Sequence, residues 1–155
     1  MPESPSELRN AAGNAARVAK RDTPYDFPLY CAEEQPSEGN PIIVLEVREG
    51  RAIAMILTRE QNCKGVASLD DFELNSFRRS WRPTKAKQVA RHRRRAIMFI
   101  WVLQNQRGKG LLNRMLGELE ANLGHPLDEL AHDLPFTEAA VKFWRKRAVR
   151  ELYVI

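Results

Sequence analysis

Residues 96–123 read AIMFIWVLQNQRGKGLLNRMLGELEANL, and this stretch contains two different apolar patterns separated by a short polar segment. The first eight residues are all apolar, and a run of this length predicts a strand in the centre of a sheet, covered on both faces. From Leu111 to Leu123, leucine and methionine recur at helical spacing. The turn RGKG at residues 107–110 separates the two elements. The stretch therefore predicts a strand, a glycine-bearing turn and a helix.

The flanking sequence supplies further strands and a second helix. Two apolar, β-branched segments at 42–47 and 52–58 are joined by Glu49-Gly50, which predicts a hairpin. Downstream patterns predict three more elements, namely a brief strand at 129–132, a helix capped by Thr137, and a final strand at 152–155. The order of elements predicts a single α/β domain with a mixed sheet.

The first 22 residues differ from the rest in composition. They are small, polar and charged, and they offer little apolar surface to bury. We therefore expect a flexible N-terminal tail over residues 1–22 and one domain over residues 23–155. MPESPSELRN does not have the pattern of a secretory signal, and the longest apolar run is too short to span a bilayer, so we expect a cytoplasmic protein without a membrane segment.

The positive charge is concentrated in one segment. The chain has a net charge of +5, yet the stretch from Phe77 to Arg95 holds nine Lys or Arg and no acid, so the rest of the chain is net −4. Such a segment predicts contact with a polyanion, such as nucleic acid, an acidic protein face or the phosphates of a cofactor. The solvated face of a helix or hairpin explains the same pattern. The candidate contact residues are Arg78, Arg79, Arg91, Arg93, Arg94 and Arg95.

Neither cysteine indicates a metal or redox site. Cys31 and Cys63 lie in no CxxC or CxxH pair, and the three histidines keep no ligand spacing with them. We interpret both as ordinary reduced thiols and expect no bound metal.

The turn at residues 107–110 has the chemistry of an anion-binding loop. A helix start presents unpaired backbone N–H groups and the positive end of the helix dipole. Two glycines ahead of it let those amides close around a pyrophosphate, and Arg107 and Lys109 add positive charge. The spacing is neither a Walker loop nor a dinucleotide-binding GxGxxG. A glycine-rich loop that only caps the helix is the alternative.

The sequence from residue 96 onward resembles the GCN5-related N-acetyltransferase superfamily. Its members bind acetyl-CoA through a loop written Q/R-x-x-G-x-G/A after the fourth strand, and residues 105–110 (NQRGKG) match that loop except that Asn105 replaces Gln or Arg. The resemblance covers roughly residues 42–155. Within the superfamily, IWV at 100–102, HDLPFT at 132–137 and Phe143 are similar to the cohesin acetyltransferases, although their zinc finger is missing here.

The resemblance implies a fold and a cofactor. The fold is an acetyltransferase-like mixed sheet with a splayed central strand, followed by the pyrophosphate-binding turn and helix. Acetyl-CoA would lie along Ile100, Trp101 and Val102, although a tryptophan on an apolar strand also fits an ordinary core residue. The backbone amides that would bind the pyrophosphate belong to Arg107, Gly108, Lys109, Gly110, Leu111 and Leu112.

The resemblance says less about acid–base groups. Many members carry a tyrosine on the last helix that protonates the leaving thiolate, but Phe143 and Trp144 stand at that place. Asp133 is the expected general base, with His132 as the second candidate. A turn carboxylate and a structural histidine are the respective alternatives, and the amine can also lose its proton to water.

The expected function is therefore acetyl-CoA-dependent N-acetyltransfer to an amine, with protein lysine and small amines both as candidate acceptors. Two alternatives stay open at this point. One is a nucleic-acid-binding module that uses residues 78–95, and the other is a CoA-binding pseudoenzyme without turnover.

Overall fold

The structure is a computed structural model, and it describes most of the chain. The described ranges are 10–11, 13–15, 17–19, 42–75, 80–133, 138–147 and 149–155. The regular elements, in chain order, are β1 (Ile42–Arg48), β2 (Arg51–Ser68), β3 (Phe72–Asn75), β4 (Ser80–Pro83), β5 (Lys87–Val102), α1 (Leu111–Leu123), β6 (Ala131–His132), α2 (Glu138–Lys146) and β7 (Glu151–Val154). The described residues at positions 10–19 are also helical. Together these elements confirm the predicted mixed α/β fold.

The main sheet has five strands in the order β1-β2-β5-β6-β7, and the C-terminal part of β2 also pairs with β7. β5 holds the middle position, as its apolar run predicts. β1 and β2 pair antiparallel from Ile42 opposite Thr58 to Arg48 opposite Arg51. The turn between them has φ 52° at Glu49 and φ 73° at Gly50, so both central residues are left-handed, as in a two-residue hairpin turn. The predicted hairpin is confirmed.

Two strands are longer than their sequence patterns predict. β5 begins at Lys87, nine residues before the apolar run, and β2 continues through the polar residues 59–65 to Ser68. In the last part of β2, residues 65–68 pair with β7, and this pairing supplies backbone hydrogen bonds to that end of the strand. β6 is shorter than expected because residues 127–129 form a 3₁₀ turn.

The described chain divides into two compact units, and each is built from two chain segments. Unit 1 combines residues 1–59 with 97–125, and unit 2 combines 60–96 with 126–155. In unit 1, helix α1 contacts β1. Its buried stripe accounts for the helical spacing seen in the sequence, and its members are Leu111, Met115, Leu116 and Leu119.

A second apolar cluster of unit 1 includes residues near the N-terminus. Ala15 and Ala19 are fully buried, and they pack with Met55, Leu57, Phe99 and Trp101. Small side chains at this helical spacing let a helix lie close to a sheet. This part of the predicted tail therefore contributes to a core, while the boundary at residue 22 stays a prediction, since residues 20–41 lie outside the described ranges.

Introducing a carboxylate at Ala15 is expected to destabilise unit 1. Ala15→Asp places a polar group in the apolar cluster, and we expect the free energy of unfolding to fall by about 2 kcal/mol in chemical denaturation. Val18→Asp is the matched control, because Val18 is exposed and the substitution adds the same charge to the same segment. Equal losses in the two variants would show that the buried position of Ala15 does not matter.

Unit 2 contains the short strands and the second helix. β3 and β4 form a separate two-stranded antiparallel sheet, and β6 runs parallel to β7. The predicted helix is present as α2, whereas its expected cap, Thr137, lies outside the described residues. The core of this unit includes Cys63, Leu69, Phe72, Leu130, Val141, Trp144 and Leu152. Among the helices that the structure describes, none is long and apolar enough to cross a membrane.

Candidate functional site

The turn after β5 leads directly into α1. β5 ends at Val102, residues 104–106 form a 3₁₀ turn, and α1 begins at Leu111 with Gly110 as its N-cap. The first helical hydrogen bond runs from the Arg114 amide to the Gly110 carbonyl at 3.2 Å. The amides of Leu111 and Leu112 precede this bond and have no carbonyl acceptor within the helix, as the geometry of a helix start requires. They are suited to bind an anion.

The two glycines of the turn both adopt left-handed backbone conformations. φ is 77° at Gly108 and 75° at Gly110, a region that residues with a Cβ rarely enter. A Cβ built at either position meets no heavy atom within 4 Å. The need for glycine here comes from the backbone conformation, and the space in front of the turn is open for a ligand.

A cavity of about 90 Å³ lies at this helix start. It is lined by Arg48, Gln106, Lys109, Gly110, Leu111 and Arg114. Its volume is several times the ~15 Å³ that one water molecule requires, so a phosphate-sized group has room. Three of the six lining residues are cationic, which makes the cavity chemically suited to a phosphate.

The cations around the turn differ in what they already bind. Arg114 Nη2 lies 2.6 Å from the Glu46 Oε1 of β1 and is paired with it. Arg48 Nη1 donates to Gln106 Oε1 at 3.2 Å. The Arg107 Nε donates to the carbonyl of Val102 at 2.8 Å, so this guanidinium secures the end of β5. Lys109 forms no ion pair with any residue that the structure describes, and its ammonium can reach an incoming anion.

The strand residues expected to line the cofactor divide between two faces of β5. Trp101 is only 3% exposed and belongs to the apolar cluster with Phe99. Ile100 and Val102 are half-buried and, by the alternation of side chains along a strand, lie on the other face. Trp101 is therefore a core residue, and only its backbone is available to a ligand. The side chains of Ile100 and Val102 are half-buried and remain available to contact a ligand.

His132 is part of the core of unit 2. It is 2% exposed, and its ring meets that of Trp144 edge to face with centroids 4.9 Å apart. Burial lowers the pKa of His132 to about 3, because the imidazolium would lose its hydration. A ring with so low a pKa is a weak proton acceptor at neutral pH, so this environment does not favour the predicted role as a base.

Asp133 follows His132 directly and is half-buried at the end of β6. Its accessibility leaves it as the better of the two predicted bases. Phe143 stands on α2, where the superfamily often has tyrosine, and packs edge to face on Trp144 with centroids 5.2 Å apart. Its ring has no hydroxyl to donate, so an acid at that place is lacking in this chain.

Three cations of the predicted polyanion segment make contacts within unit 2. Arg93 and Arg95 lie 3.8 and 4.0 Å from the Glu60 carboxylate. Arg94 stacks on the Tyr153 ring at 3.7 Å and donates to the Glu129 carbonyl at 3.0 Å. Arg78, Arg79 and the side chain of Arg91 lie outside the described residues. Arg93, Arg94 and Arg95 therefore contact neighbouring elements of unit 2, which gives three of the nine cations a role within the fold, and the polyanion contact stays a prediction.

Local sequence patterns do not predict three of the residues that line the cavity. Arg48 and Gln106 are 58 positions apart, and Arg114 lies one turn inside α1, on the helix face that meets β1. The only sequence signal for Arg114 is its position one helical turn after the glycines, and nothing in the local sequence marks Arg48.

Comparison with known proteins supports the fold. No protein-family model matches the chain, and no curated protein is significantly similar to it. Among solved structures, the xEco2 acetyltransferase domain matches with a TM-score of 0.61 and 17% identity, covering 100% of this chain and 86% of that one. The same domain bound to a CoA conjugate matches with a TM-score of 0.64 and 17% identity, covering 99% and 86%. The resemblance to the cohesin-type acetyltransferases is thus confirmed as a likeness of fold.

Proposed function

We propose that this chain is an acetyl-CoA-dependent N-acetyltransferase that transfers the acetyl group directly to an amine. The observation that carries the proposal is the cationic cavity at the start of α1, directly after the central strand of an acetyltransferase-like fold. One solved structure of similar fold has a CoA conjugate bound, which supports CoA as the ligand of this cavity.

The turn and the helix start would hold the pyrophosphate. The amides of Leu111 and Leu112 donate to phosphate oxygens, the left-handed glycines keep these amides accessible, and the Lys109 ammonium adds a charge-assisted contact. Acetyl-CoA fits this set of donors because its pyrophosphate carries a negative charge on each phosphate. Arg107 contributes indirectly, by securing the end of β5 through the Val102 carbonyl.

The reaction requires a neutral amine as the nucleophile and stabilisation of the negative charge that develops on the thioester carbonyl oxygen. The amine nitrogen forms a bond to the carbonyl carbon, the carbon–sulfur bond breaks, and the CoA thiolate leaves. We assign the backbone amide near Ile100 to the developing oxyanion, since a fixed N–H donor there stabilises the charge of the transition state. Asp133 is the proposed acceptor of the amine proton, directly or through water.

Acetyl-CoA is expected to bind with a dissociation constant below roughly 1 mM, the upper end of the usual range for enzyme substrates. Isothermal titration calorimetry measures the binding, and a thiol assay then follows CoA release over a panel of small amines and lysine peptides. Absence of binding would contradict the proposal. Binding without release for any amine would indicate the pseudoenzyme instead.

Replacement of Asp133 separates its role from that of the cofactor site. With Asp133→Asn, we expect turnover at pH 7 to fall by about 10²-fold or more, the usual contribution of a general base, while the affinity for acetyl-CoA stays the same. Loss of turnover that is recovered at high pH would match a role in deprotonating the amine. Unchanged turnover would show that the amine loses its proton to water, and Asp133 would then have no catalytic role.

A further inference from the structure

We infer that Arg48, at the end of β1, binds the phosphate groups of the cofactor together with the glycine turn. This inference rests on the proposed function and adds to it a binding residue that lies outside the turn, the helix start and the central strand. It assigns recognition of the phosphates to two distant chain segments, residues 46–48 and residues 106–114.

The position of Arg48 within unit 1 supports this role. Arg48 lines the same cavity as Lys109, Gly110 and Leu111, so its side chain meets the space in front of the helix start. Within the described residues its guanidinium makes one hydrogen bond, from Nη1 to Gln106 Oε1 at 3.2 Å. An arginine has five N–H donors in a planar fork, and the others remain for phosphate oxygens.

The charges of the cavity point to the same ligand. Arg48, Lys109 and Arg114 are positive, and Glu46 neutralises one of them through its 2.6 Å pair with Arg114. Two positive charges remain, which matches the negative charge carried on each phosphate of a pyrophosphate. Without Arg48 only one would remain. Arg48 therefore makes the net charge of the cavity equal and opposite to that of the ligand. The Glu46–Arg114 pair holds β1, and Arg48 with it, beside α1.

The test measures binding of acetyl-CoA to Arg48→Gln and to a matched control. Arg51 is the control, because it is the Cα partner of Arg48 across the turn, is exposed, and does not line the cavity. Partners of this kind lie about 5 Å apart, so Arg51→Gln removes the same charge from nearly the same place. We expect Arg48→Gln to weaken acetyl-CoA binding about tenfold in calorimetry and Arg51→Gln about twofold or less.

A third variant, Gln106→Ala, tests whether Arg48 acts by holding the turn. Three outcomes would show that the inference is wrong. Gln106→Ala could lose as much affinity for acetyl-CoA as Arg48→Gln, the two arginine variants could lose affinity equally, or Arg48→Gln could bind acetyl-CoA like the wild type. A loss confined to Arg48→Gln upholds it, and titration with dephospho-CoA identifies the phosphate. If Arg48→Gln weakens the binding of acetyl-CoA and of dephospho-CoA equally, Arg48 binds the pyrophosphate. If it weakens the binding of acetyl-CoA alone, Arg48 binds the 3′-phosphate.

Failure of the proposed function is distinguishable from failure of this inference. If the wild type does not bind acetyl-CoA, the proposed function is wrong, and inorganic pyrophosphate is then titrated into the same three variants. A selective loss with Arg48→Gln would still show that this residue binds phosphate, and equal binding by all variants would overturn the inference as well.

Discussion

Replacing Gly108 and Gly110 together by valine is expected to weaken acetyl-CoA binding at least 100-fold. Both positions hold φ near +75°, where a β-branched residue is strained by about 1–3 kcal/mol each. The turn relieves this strain only by leaving its conformation, and the amides of the helix start then no longer converge on a phosphate. A loss of about 2.7 kcal/mol in binding already corresponds to 100-fold. Calorimetry with acetyl-CoA measures the effect.

Two further variants show whether the backbone conformation is the cause. Gly110→Asn should lose much less affinity, because asparagine enters the left-handed region more easily than other residues with a Cβ. Gly117→Ala, in the exposed middle of α1, should bind acetyl-CoA like the wild type and be slightly more stable, by up to about 1 kcal/mol. Equal affinity of the double valine variant and the wild type would mean that the phosphates bind elsewhere.

Acid is expected to destabilise the protein through His132. The folded state holds the pKa of this ring at about 3, against 6.5 for the ordinary group, because the ring is buried. Between these pH values the unfolded chain binds a proton that the folded chain does not. The contribution of His132 to the free energy of unfolding is therefore complete above pH 6.5 and decreases as the pH is lowered. Each pH unit below 6.5 removes about 1.4 kcal/mol, so the loss by pH 5 is on the order of 2 kcal/mol.

The contribution of His132 is measured as a difference between variants. Urea denaturation of the wild type and of His132→Phe is compared at several pH values between 7.5 and 4.5, since phenylalanine keeps an aromatic contact with Trp144 and cannot titrate. We expect the wild type to lose stability faster than His132→Phe as the pH falls. The same substitution at His125 is the control for removing a histidine elsewhere. Parallel pH dependences of the wild type and His132→Phe would contradict a buried, neutral His132.

Much of the fold follows from local patterns. Three features are each contained in one short stretch of sequence, and the sequence alone predicts them. They are the apolar run of β5, the left-handed turn at Glu49 and Gly50, and the helical stripe of α1. The glycine turn belongs to this group as well. Its conformation depends on Gly108, on Gly110 and on the helix start that follows, and all of these lie within a few residues of one another in sequence.

Other features depended on partners that are distant in sequence. The basic residues before the apolar run hide the beginning of β5 from a local sequence pattern. The contacts that Arg94 and Arg95 make there are with Tyr153 and Glu60, which are distant in sequence. The burial of Ala15 depends on β2 and β5, which lie tens of residues away. A periodic pattern in a short stretch of sequence does not show which distant residues will contact that stretch.

The candidate site divides in the same way. The sequence by itself predicted the glycine turn, the helix start and the place of Lys109 between the two glycines, because all three belong to one continuous segment of the chain. Only the tertiary structure decided that Arg48 and Arg114 line the same cavity and that Trp101 and His132 belong to cores. Charge balance and desolvation are set by what surrounds a side chain in space, and the pairing of β1 with β2 and its contact with α1 bring those groups together.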